Sequence, residues 1–79
     1  MDKNVIFEIL ENIFCDVFDL ESIKLSDATS AEDIDQWDSL NHVLLVSAIQ
    51  KKFNVKFSAR EMLVWDNVGD IVKSIQSKL

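Results

Sequence analysis

A chain of 79 residues, 48% of them hydrophobic, has room for a modest core, so one domain over residues 1–79 is expected and a two-site enzyme with its own lid is not. The formal net charge of −6 argues against nucleic acid as a partner. Cys15 is the only cysteine and His42 the only histidine, which leaves no disulfide framework and no metal-ligand cluster and points to a reducing, cytoplasmic compartment.

No segment has the length and apolarity of a membrane span, and Met1-Asp2-Lys3 leads into an amphipathic pattern rather than a signal peptide. Ile6, Leu10, Ile13 and Val17 recur at helical spacing, widened by Phe14 and Phe18. They predict a first helix from about Lys3 to Phe18, with Asp2 as its N-cap. Cys15 falls inside this helix and reads as a small hydrophobe. Residues 19–38 are rich in Ser, Thr and Asp, yet Leu20, Ile23, Leu25, Ile34 and Trp37 are spaced through them. A long connection with regular apolar anchors is expected to pack over a core. Within it, Thr29-x-x-Glu32 has the pattern of a cap for one short turn.

A second helix is predicted from Ser39 to about Phe53. Its apolar residues are too many for one stripe. Placing Leu45, Val46, Ile49 and Phe53 inward leaves Leu40, Leu44, Ser47 and Lys51 in an outward line, and the opposite rotation would bury Lys51. Phe53-Asn54-Val55-Lys56-Phe57 alternates like a strand but is too short to build a sheet alone. Ser58-Ala59-Arg60-Glu61 fits a capping box and opens a short third helix ending near Trp65. Asn67, with Asp70 three positions on, starts the last helix, whose inward stripe is Val68, Ile71, Val72 and Ile75. The expected fold is all-α: a four-helix bundle of three longer helices and one short one, with a long loop between the first and second.

Charge is unevenly placed. Residues 1–38 hold eleven acids and two bases, net −9, whereas residues 39–79 hold three acids and six bases, net +3. The paired acids Asp33 and Asp35 lie in a generally acidic loop with nothing to shift their pKa values, so solvation explains them better than acid–base catalysis. Ser39, His42 and Asp38 are the types of a hydrolytic triad, but no oxyanion hole or Gly-rich elbow accompanies them. Ser39 has two other readings. It is an N-cap of the second helix, or it is a hydroxyl placed where unpaired N–H groups and the helix dipole favour an attached phosphate.

The string Trp37-Asp38-Ser39-Leu40-Asn41-His42-Val43, followed by Leu45-Val46 and Phe53, resembles the acyl carrier protein family. Asp38-Ser39-Leu40 matches its modification motif, and Phe57-Ser58, Glu61 and Val68-Gly69-Asp70-Ile71-Val72 extend the likeness. The resemblance implies a bundle of the acyl carrier type and a non-catalytic function. A phosphopantetheinyl transferase would move a 4′-phosphopantetheine arm from coenzyme A onto Ser39, with Asp38 matching the acid that helps that enzyme hold Mg²⁺. The arm's thiol would carry acyl groups as thioesters. It further implies a monomer that docks acyl-activating, acyltransferase or synthase enzymes through Leu40, Asn41, Val43, Leu44 and Ser47 on the second helix and Met62 and Trp65 at the third. Trp65 reads equally as a core-edge tryptophan.

Two departures qualify the likeness. The usual Asp-Leu-Gly-x-Asp-Ser-Leu run is here Ile34-Asp35-Gln36-Trp37-Asp38-Ser39-Leu40, without glycine. Positions 40–53 hold no acid and include Lys51 and Lys52, where fatty-acid carriers are acid-rich. The expectation is therefore a carrier for fatty-acid, polyketide or other specialised acyl-transfer biosynthesis, with a dedicated carrier of a specialised pathway favoured over a partner of the basic-patch enzymes of bulk fatty-acid synthesis. A peptidyl or D-alanyl carrier, and a helical interaction module without a prosthetic group docking through Leu40 and Leu44, are the alternatives.

Overall fold

A computed structural model describes all residues, 1–79. It contains four α-helices and no strand: α1 (Lys3–Phe18), α2 (Ser39–Phe53), α3 (Ala59–Leu63) and α4 (Val68–Lys78). α1 packs against both α2 and α4. Sixteen buried apolar side chains form one core, with Ile6, Leu10, Phe14, Leu45, Ile49, Val68 and Ile75 fully enclosed at its centre. The predicted inward rotation of α2 holds: Leu45, Val46, Ile49 and Phe53 are buried. Val17, placed on the α1 stripe, is only half-buried, because the wider face set by Phe14 and Phe18 turns it to the rim.

Each helix starts on a side-chain cap. Asp2 accepts from Asn4 N–H at 3.1 Å, Ser58 Oγ from Glu61 N–H at 3.1 Å, and Asn67 Oδ1 from Asp70 N–H at 3.0 Å. α1 and α2 end on left-handed residues, Asp19 and Asn54, two of the few types that tolerate positive φ. The turn at Asn54 is why the alternating run 53–57 is not a strand: it bends the chain so that Phe53 and Phe57 both reach the core. α3 stops at Leu63, short of Trp65. Its capping box holds as predicted, with Glu61 accepting from Ser58 N–H at 3.1 Å.

The long loop packs as expected, with Leu25 and Ile34 buried in the core. Its short turn is a 3₁₀ helix, Ala31–Asp33, and the acid that closes it is Asp33, which accepts from Ser30 N–H at 2.9 Å, not Glu32. Thr29 instead accepts from Ser26 N–H at 3.0 Å. The loop also completes α4. Thr29 O accepts from Val68 N–H at 2.8 Å and Asp27 O from Gly69 N–H at 3.0 Å, satisfying donors that a helix start leaves unpaired. That close approach needs a glycine, since a Cβ at position 69 would lie 3.0 Å from Asp27 O.

Candidate functional site at the start of helix α2

The junction of loop and α2 is tied by local hydrogen bonds. Asp38, not Ser39, is the N-cap: its carboxylate accepts from Asn41 N–H at 2.8 Å. The Asn41 side-chain amide donates back to Gln36 O at 2.8 Å. Trp37 Nε1–H donates to His42 Nδ1 at 2.9 Å, and the two rings are near-parallel, 19° apart with centroids 6.1 Å from each other. Ser39 is thereby released from capping. It stands at the first helical position, exposed, on backbone held from both sides. The cap reading of Ser39 is therefore corrected.

The hydrolase reading is not supported either. Asp38 is committed to the Asn41 N–H and the His42 Nδ1 to Trp37, so no Ser39–His42–Asp38 relay is assembled. An exposed primary hydroxyl at the start of a 15-residue helix suits a phosphodiester, because the free N–H groups and dipole of the first turn stabilise its charge.

Trp37 is half-buried and meets Phe14 edge-on, ring centroids 5.2 Å apart, so it joins the loop to α1 as well as to α2. Trp65 is its counterpart at the far side of the site. Its Nε1–H donates to Ser74 Oγ at 2.9 Å on α4, and its ring meets Phe57 at 4.9 Å. Both tryptophans are anchors. With His42, Met62 and Ile71 they line a cleft of about 130 Å³, near the ~150 Å³ that admits a benzene-sized guest. Burial in this setting lowers the His42 pKa. A wider, apolar groove runs between α2 and α3, past Val43, Val46, Ala59, Met62 and Leu63.

Among the expected docking residues, Leu40 (73%), Val43 (64%) and Leu44 (52%) are exposed, and Ser47 is also at the surface. Asn41 is occupied in holding the loop, and Met62 and Trp65 are half-buried against the core. The outward apolar residues at the α3 end are Leu63 (85%) and Val64 (68%), which are not among the expected docking residues. The signal is two adjacent apolar residues at the end of the short capped helix, between Met62 and Trp65, which face in.

Residues 8–75 match the family model described as a phosphopantetheine attachment site. The chain belongs to the acyl carrier protein family. The acyl carrier protein of Cyanophora paradoxa is 28% identical over 72 residues, covering 90% of this chain and 69% of that protein. The solution NMR structure of holo acyl carrier protein from Geobacter metallireducens superposes with a TM-score of 0.86 at 40% identity, over 91% of this chain and 83% of that one. The fold and carrier class expected from the residues are thus found, with phosphopantetheine as the prosthetic group and no catalysis by the carrier itself. No helix is long and apolar enough to cross a membrane.

Proposed function

We propose that the chain acts as one carrier domain, residues 1–79, with the arm attached at Ser39. The observation that carries this is the exposed Ser39 hydroxyl at the start of α2, inside the Asp38-Ser39-Leu40 triplet of a phosphopantetheine-attachment chain. The Ser39 oxygen displaces adenosine 3′,5′-bisphosphate from coenzyme A: one O–P bond forms, the pyrophosphate P–O bond breaks, and the hydroxyl proton passes to the transferase's base. Asp38 holds the serine's backbone through its cap and offers a second carboxylate oxygen to the transferase's Mg²⁺. Once bound, the arm's thiol carries acyl groups as thioesters. A reducing cytoplasm suits this thiol and the free Cys15.

Partner enzymes dock on Leu40, Val43, Leu44, Leu63 and Val64 by apolar contact. The acidic loop residues Glu32, Asp33 and Asp35 lie ahead of α2, and Lys51 and Lys52 at its end. With no acid on α2 beyond Ser39, long-range charge from the loop sets the rate of encounter and the apolar patch sets its lifetime. This pattern supports a dedicated acyl carrier of a polyketide-like or other specialised pathway over one serving bulk fatty-acid synthesis. Incubation of the chain and of Ser39→Ala with coenzyme A and a broad-specificity phosphopantetheinyl transferase, read by intact mass, tests the attachment. The parent chain gains one arm and Ser39→Ala none. An arm on Ser39→Ala sinks the assignment.

A further inference from the structure

His42 is hydrogen-bonded to the loop through Trp37 and lines both the aromatic cleft and the α2–α3 groove. Its protonation pattern follows from its neighbour. An indole N–H is only ever a donor, so Nδ1 must present its lone pair to Trp37. A neutral imidazole has one N–H, which therefore sits on Nε2. The lowered pKa keeps the ring neutral near pH 7.

Nε2–H has no hydrogen-bond partner in the protein, yet no side-chain nitrogen or oxygen is both buried and unpartnered. The donor therefore opens to the surface, where His42 lines the cleft and the groove. Ser39 lies three residues earlier on the same helix, about 4.5 Å along its axis. The next polar groups along the groove serve less well. Ser47 and Gln50 lie about 12 Å and about 16 Å along the axis from Ser39, against about 4.5 Å for His42, and Gln50 is held by accepting from Phe57 N–H at 2.9 Å. The groove walls are otherwise apolar, so an arm built of methylenes and amides, entering from Ser39, meets the His42 donor first.

We propose that His42 is a positioning residue for the phosphopantetheine arm, its Nε2–H, fixed by the Trp37 indole, donating to a carbonyl oxygen of the arm or of its acyl group. The inference rests on attachment at Ser39. The carbonyl is either an arm amide, present as soon as the arm is attached, or the thioester, present only after acylation.

The test uses the full ¹⁵N-labelled chain in three forms: unmodified, carrying the arm, and carrying a butyryl-loaded arm, each verified by intact mass. Long-range ¹H–¹⁵N spectra report the His42 ring. Nε2 carries the proton in all three, Nδ1 stays unprotonated, and the Nε2 shift moves on loading. Exchange of Nε2–H with water slows about fivefold, the worth of one net hydrogen bond. A change on arm attachment identifies an arm amide, and a change that waits for the butyryl group identifies the thioester. In Trp37→Phe the indole donor is gone, so the tautomers mix and the slowing is lost although loading proceeds. A ring unmoved in both loaded forms overturns the inference alone, and slow exchange persisting in Trp37→Phe overturns the indole's part. Failure of the parent chain to load overturns the attachment reading and this one with it.

Discussion

Replacing Trp37 by Phe separates the hydrogen bond at the α2 junction from the packing beneath it. The variant keeps an aromatic ring to meet Phe14 but removes the donor to His42 Nδ1. The lost bond is worth about 1 kcal/mol net. Trimming the half-buried second ring adds about 1 kcal/mol at ~25 cal/mol per Å² of apolar area. The sum, about 2 kcal/mol, lowers Tm by roughly 8–16 °C in a domain of this size. Urea melts at pH 7.5 measure it, and the cycle with His42→Phe isolates the bond as a coupling of about 1 kcal/mol. Trp37→Ala removes the edge-to-face pair as well and costs about 3 kcal/mol, the low end for a large aromatic because the side chain is only half-buried. A Trp37→Phe variant within about 0.5 kcal/mol of the parent, or a cycle without coupling, refutes the junction described here.

Asp38→Ala should cost about 1 kcal/mol as the loss of an N-cap while Ser39→Ala costs a few tenths at most, and equal losses in denaturant melts contradict the cap assignment. Leu44→Ala, half-exposed, should stay within about 0.5 kcal/mol of the parent, whereas its fully buried neighbour Leu45→Ala loses about 2–5 kcal/mol. A thermal melt of the pair checks the rotation of α2, and a large loss in Leu44→Ala removes it from the docking face. Burial holds the His42 pKa below its ordinary value, so neutral His42 favours the folded state. That contribution is complete above the unfolded value near pH 6.5 and is lost as pH falls through the lower folded value. Two acids face the same region, Asp66 in the lining of the cleft and Asp38 at the cap of α2, four residues before His42. Melts at about pH 7 and pH 5 should show a fall that His42→Phe reduces, and parallel slopes count against it.

Much of this molecule could be read from residue spacing. Helices α1 and α4 follow from apolar stripes and from caps at Asp2 and Asn67, α2 from its stripe, and α3 from its cap at Ser58, all local signals. The loop's anchors Leu25 and Ile34 were visible as isolated apolar residues in a polar run. What escaped depends on which of two neighbours wins a role. Ser39 and Asp38 both suit an N-cap, and Asp38 takes it because its longer reach to the Asn41 N–H leaves Ser39 one position inside the helix. Glu32 and Asp33 both suit the short turn, and Asp33 closes it from Ser30. Met62 and Trp65 matched the family's docking end, but Met62 lies on the inner face of α3 and the chain beyond Leu63 turns Trp65 toward the core, leaving Leu63 and Val64 outside. The Trp37–His42 bond had no signature, because a half-buried indole finds its acceptor only once the loop has folded onto α2.

The most direct measurement is a tandem mass spectrum of the chain after incubation with coenzyme A and a phosphopantetheinyl transferase. Fragments that contain Ser39 should carry the arm, and those ending at Asp38 or starting at Leu40 should not. An arm localised to any other residue, or a chain that remains unmodified under conditions that load another acyl carrier protein, contradicts the account.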